Sequence, residues 1–296
     1  MKQLLNRNPW IVAVLALLPM GIALAGTEID ETRSMPADGR VQVDNLAGSI
    51  DINAWDRNEV RITGELGDGV EELEIGESAQ GVTVVVRNRR NQRYVEETRL
   101  HLTVPVAASI IAEGVSADIS VSGLDGGRFD LSTVSGDIDV EARAARVDVE
   151  SVSGDVTFRG RTSRISVETV SGEIDLAGVD GEVQVTTVSG DAELEGGTVT
   201  VARFETVSGD LDADVDVAGG GRLSADSMSG DVRIVLDDAQ QGNFSAQTYS
   251  GDIRTDFGAV DAGSRGPGRR LNHREGDGGA IIEIENFSGD IRILRR

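Results

Sequence analysis

The chain has 296 residues, a formal charge of -23 at neutral pH, 3% aromatic residues and no cysteine. The absence of thiols excludes disulfides, thiolate metal sites and a lipid-bearing cysteine behind a leader, and a field of this sign repels phosphate and so opposes general nucleic-acid binding. A high, regularly spaced β-branched content argues against disorder for most of the length.

Taken in chain order, residues 1–25 read as a secretory signal peptide. Lys2 and Arg7 precede an apolar stretch from Trp10 to Ala25, broken by Pro19 and Gly21 and closed by the small-x-small site Ala23-Leu24-Ala25. The stretch is shorter than the ~20 residues that span a bilayer. The mature chain is therefore expected to carry no integral membrane segment and to lie in the periplasm, at the cell surface or secreted. Cleavage removes both basic residues and leaves -23 - 2 = -25. Residues 27–109 are expected to form a capping β region that includes a first rung at 41–52. Its alternating runs are Glu59–Gly64, Gly81–Val86 and Arg99–Val104, with a tight-turn candidate at Gly67-Asp68-Gly69.

From residue 110 to 296 one phrase dominates, Ser-Gly-Asp/Glu followed by an apolar residue. Its copies begin at Ser135, Ser153, Ser171, Ser189, Ser208, Ser229, Ser250 and Ser288, with a degenerate copy at Ser116-Ala117-Asp118. A short period of this kind denotes stacked repeats. With each Ser as position zero, the residues six and four before it and three and five after it are almost always apolar. Val147, Val149, Val156 and Phe158 are one such set. Alternation of period two on both flanks predicts strands that bury one face. The residue at minus one is also apolar (Val134, Val152, Val170, Val188, Val207, Met228, Tyr249, Phe287), which suggests a slip of parity and hence a bend at the phrase. The expected fold is all-β, a single-stranded parallel β-helix with successive rungs paired in parallel. The wide last spacing, from Ser250 to Ser288, predicts a flexible loop over 259–279.

The pattern Thr-Val-Ser-Gly-Asp-Ile, flanked by alternating strands and behind a leader, resembles the bacterial putative-adhesin family of β-strand repeats, a domain family of unknown function. The resemblance covers roughly residues 41–296. It implies an extracytoplasmic β-solenoid and supplies no catalytic residues.

Four features are candidates for function. The acidic column at plus two (Asp137, Asp155, Glu173, Asp191, Asp210, Asp231, Asp252, Asp290) could attract calcium, or each carboxylate could accept backbone amides at its own corner, the reading preferred here. The hydroxyl column at minus two, Thr133 to Asn286, points inward by parity and reads as a structural ladder. Two arginine clusters, Arg87, Arg89, Arg90 and Arg93 and then Arg265, Arg269, Arg270 and Arg274, suit the phosphates and carboxylates of envelope polymers and are the candidate ligand-binding residues. His101 and His273 stand in no metal or triad spacing, so no catalytic, metal or cofactor residue is assigned.

The sequence thus reads as a non-enzymatic, adhesin-like binding or scaffold protein of the cell envelope, with an envelope glycan or envelope protein as partner. A glycan-active β-helix enzyme of lyase or hydrolase type is the alternative. A monomer is expected, because Arg292, Arg295 and Arg296 would guard the edge of a terminal rung at Ile282–Leu294.

Overall fold

The computed structural model describes residues 28–89, 96–262, 268–277 and 279–296. The expected signal peptide lies outside the described residues, as do Arg90, Arg93 and Arg265. Among the described residues every regular element is a β-strand, and twenty-one strands join in one continuous sheet.

The Ser-Gly-Asp phrase punctuates the chain as its alternation requires. One strand ends on the Ser and the next begins at plus three, as in Arg146–Ser153 followed by Val156–Ser171 and then Ile174–Ser189. Equivalent positions stack in parallel register, Val149 on Val167 and Val185, Ser153 on Ser171 and Ser189. The inward columns from both flanks meet in one core that runs through the stack, with Phe129, Val147, Phe158, Val167, Leu194 and Leu223 all buried. The fold is therefore a parallel β-solenoid whose repeats bury their apolar faces only by stacking.

The corner itself follows plus one and plus two. At Gly209 φ is +145°, and a Cβ there would lie 2.1 Å from the carbonyl oxygen of Gly190 in the adjacent rung. Only glycine permits that approach at that φ. The aspartate beside it does not bond at its own corner, as the sequence suggested. Asp137 Oδ1 accepts the amide of Asp155 at 2.9 Å, Asp155 Oδ1 that of Glu173 at 2.8 Å, and Asp210 Oδ1 that of Asp231 at 2.7 Å. Each of these carboxylates is thus a clamp between rungs, where charge-assisted bonds to amides offset the repulsion of stacked like charges.

Three expectations need correction. The first is the place of the parity slip, which falls after the Ser, across plus one and plus two, and not at minus one. Strands run unbroken through minus one to the Ser, so minus two stays inward and minus one faces out. Thr133, Thr187 and Thr248 are buried, whereas Val134, Val188 and Tyr249 are nearly half exposed. The second is the order of rungs. Ser229 pairs with Ser288 and Ser288 with Ser250, so the last rung in sequence is threaded between its two predecessors. Interchangeable repeats explain this, because any Ser-Gly-Asp rung presents the same register to any other. The rung with isoleucine at all four inward positions (Ile282, Ile284, Ile291 and Ile293) takes the site covered on both sides.

The third is the loop. Most of the described part of 259–279 is not extruded coil: Arg269–Glu275 pairs antiparallel with Gly242–Ser250, and Val260–Ala262 pairs antiparallel with Arg269–Glu275 in turn. Leu271 and Phe257 are buried under this hairpin, with Phe257 stacked on Phe244 at 4.4 Å. The three C-terminal arginines guard no terminal edge. Arg292 reaches Asp231 at 3.1 Å, Arg295 lies 4.2 Å over the Phe257 ring, and Arg296 pairs with Asp214 and Asp216.

At the opposite end, Arg40–Trp55 pairs in parallel with Ser109–Asp125 on one side. On its other side it pairs with Gly81–Asn88 and Thr98–Pro105. Antiparallel strands Val70–Ser78, Glu59–Glu65 and Glu28–Ser34 then complete that end.

Candidate functional site

The outward parity of minus one creates the main surface feature of the molecule. In stacking order, Leu46, Val115, Val134, Val152, Val170, Val188, Val207, Met228, Phe287 and Tyr249 form a continuous apolar stripe, each between 37% and 60% exposed. At ~4.8 Å per rung the stripe is roughly 40 Å long. An isolated exposed valine needs no explanation, but a contiguous row of this length marks an interaction surface. The side chains grow toward one end, where Tyr249 and Phe287 stack with ring centroids 5.1 Å apart and planes 3° from parallel. Beside them opens a groove of about 670 Å³, walled by Val188, Val207, Met228, Phe287 and Tyr249 on one side and by Glu205, Asp226, Gln247 and Glu285 on the other.

Acidic columns flank the stripe on both sides. On the face, minus three carries Glu113, Glu150, Glu168, Glu205, Asp226 and Glu285, all exposed. Across the corner lies the plus-two column. Burial in the groove wall, with Glu285 and Glu205 alongside, holds the Asp226 carboxyl above its ordinary value. Arg203, 3.4 Å from Glu205, is the one ion-pair partner of the three groove carboxylates among the described residues.

The arginines singled out in the sequence do not form compact anion sites. Arg87 is engaged by both oxygens of Glu74, at 2.7 and 2.8 Å, and that fork holds the Glu74 carboxyl below its ordinary value. Arg89 is exposed near the other end of the stack from Arg269, Arg270 and Arg274. Strand alternation separates the latter three. Arg270 and Arg274 share one face with Asn272, and Arg269 lies on the other with the buried Leu271. Arg269 contacts Asp252 at 3.2 Å, Arg270 contacts Gln247 at 2.7 Å, and Arg274 donates to the Asp277 carbonyl. His101 pairs with Asp51 at 3.1 Å, and His273 pairs at 2.8 Å with Glu275, which Arg295 also approaches at 3.4 Å. Among the described residues no group of three or more His, Asp or Glu side chains is arranged to hold a metal ion.

Every residue of the stripe from Val134 onward stands out in the sequence as an apolar column, but its exposure does not. The signal was present: an apolar residue directly after an inward threonine has outward parity.

Stack, corner clamps and stripe define the class, a parallel β-solenoid with an unpartnered outer face. The profile of the Toastrack DUF4097 family, a domain of unknown function, matches residues 40–294, and the chain belongs to that family. Among solved structures it is similar to a putative adhesin from Bacteroides fragilis, at 12% identity over 90% of this chain and 97% of that one with a TM-score of 0.44. It is similar also to a putative lipid binding protein from Parabacteroides distasonis, at 13% identity over 91% and 98% with a TM-score of 0.35. A putative adhesin from Parabacteroides merdae matches at 10% identity over 92% and 99% with a TM-score of 0.33. No curated protein matches the chain. Among the described residues no helix is long and apolar enough to cross a membrane.

Proposed function

We propose that the protein is a non-enzymatic, extracytoplasmic binding or scaffold module of the bacterial cell envelope that presents its stripe to an envelope component. The observation that carries this reading is the row of exposed apolar side chains from Leu46 to Tyr249, held at fixed spacing by a rigid stack. The leader-like segment ending at Ala25 supports export. Arg270 adjoins the groove through Gln247 and, among the described arginines of the second cluster, is best placed to add a contact to an anionic envelope polymer.

The test is co-sedimentation of residues 27–296 with purified sacculi and with outer-membrane vesicles across a salt series. A Met228→Ser, Tyr249→Ser, Phe287→Ser variant and an Arg269→Ser, Arg270→Ser, Arg274→Ser variant are run beside it. Saturable sedimentation lost in the stripe variant is the expected result. Sedimentation with neither fraction overturns the envelope assignment. Loss confined to the arginine variant moves the contact from the stripe to the cap.

A further inference from the structure

Resting on the reading of the stripe as a binding surface, the chemistry of its borders narrows the partner. An apolar row bounded by acids on one side only would suit many surfaces. Here carboxylates run along both sides: Glu205, Asp226 and Glu285 line the groove, and across the corner the plus-two column continues with Asp191, Asp210 and Asp231, the last paired with Arg292. We propose that the groove along Val207, Met228, Phe287 and Tyr249 receives a cationic amphipathic helix of a partner polypeptide, its apolar face on the stripe and its Lys or Arg side chains over the two acidic columns.

Three observations support this occupant. An amphipathic helix carries an apolar stripe with charge on both margins, the mirror of this surface. The stripe is continuous from rung to rung and roughly 40 Å long, enough for about 25 helical residues at 1.5 Å rise. The groove carboxylates Glu205, Asp226 and Glu285 line one wall together, and desolvation there, followed by the charges of Glu285 and Glu205, raises the proton affinity of Asp226, so a cation seated among them would be favoured. Anionic lipid and a second copy of this chain, itself carrying -25 after loss of the leader, would each bring negative charge to negative margins.

The probe is a fluorescent 18-residue Leu/Lys peptide with a helical apolar face. Its controls are a scrambled peptide of the same composition and a Leu/Glu counterpart, titrated against residues 27–296 by anisotropy. Saturable binding of the Leu/Lys peptide is expected, weakening with salt and falling at least tenfold in two variants. One is Met228→Ser, Tyr249→Ser, Phe287→Ser and the other Glu205→Gln, Asp226→Asn, Glu285→Gln. All six side chains are exposed, so both variants are expected to keep the wild-type circular dichroism, and the carboxylate variant to melt no lower than wild type. Equal binding of the scrambled peptide, or undiminished binding in both variants, overturns the proposal. So does absence of peptide binding where stripe-dependent binding to neutral vesicles or stripe-dependent dimerisation is found; the occupant is then lipid or a second copy. Sedimentation of the same preparations separates this proposal from the one beneath it. Peptide binding without sedimentation leaves the groove assigned and removes the envelope reading, whereas sedimentation without peptide binding removes the helix.

Discussion

Replacing Gly209 by alanine tests the corner geometry on which the stack depends. The new Cβ would sit 2.1 Å from the Gly190 oxygen and 2.7 Å from its carbonyl carbon, at a φ of +145°. A side chain in that region of φ costs about 1–2 kcal/mol, and the backbone shift needed to relieve the contact adds about 1–3 kcal/mol. The sum is about 3 kcal/mol. At roughly 2–4 °C per kcal/mol for a chain of this size, the melting midpoint should fall by about 6–12 °C. Gly219 supplies the control, since a Cβ there meets nothing within 4 Å and its φ is not in the positive region. Thermal melts followed by circular dichroism, with calorimetry to detect any loss of cooperativity expected of repeat arrays, should show Gly219→Ala close to wild type and Gly209→Ala well below it. Equal midpoints for the two variants would refute the claim that the glycine column is required by close approach between rungs.

Two further outcomes follow from the acidic residues. Among the described residues, the plus-two clamp runs from Asp118 through every rung except the step from Glu173 to Asp191. The one glutamate in the column is there. Glu173→Asp should supply the missing bond to the Asp191 amide and raise stability by about 1 kcal/mol in urea unfolding. Asp226 has a raised pKa in the folded state, so its charged form is destabilising; as pH falls through that pKa the folded state takes up the proton first and gains stability. Glu193, raised by burial and by Glu195, Asp175 and Asp212, acts in the same direction. Glu74, Asp30 and Glu275, held low by arginine or histidine partners, lose stability only as pH falls below the ordinary carboxylate range. Melting midpoints should therefore rise from pH 7.5 to the upper edge of that range and fall below it. Asp226→Asn should raise the neutral-pH midpoint and flatten the rise.

The repeat and its inward columns were legible because burial imposes period two on every rung, and Phe158, Val167 and Ile174 could be placed without coordinates. The outward stripe was not. Val188 has the same apolar character as Val185, and only its parity relative to Thr187 separates surface from core. Rung order was illegible for a different reason: Ser250 and Ser288 carry the same phrase, and register alone does not say which lies beside Ser229. The hairpin strand Arg269–Glu275 was hidden because Leu271 is its one apolar residue, set among charged and polar side chains. Both arginine clusters were visible as composition, yet their partners Glu74, Asp252 and Gln247 stand 13, 17 and 23 residues away along the chain and are brought alongside only by the fold.

The most direct test of the central claim uses the absence of cysteine from the chain. Val207→Cys places a single thiol on the stripe, and Asp139→Cys places one on the other flank of the rung. Each is labelled with a polarity-sensitive fluorophore and titrated with the envelope fraction that sediments the protein. A blue shift and quencher protection at position 207, with neither at 139, is the result this account predicts. Protection at 139 with an unchanged spectrum at 207 would contradict it.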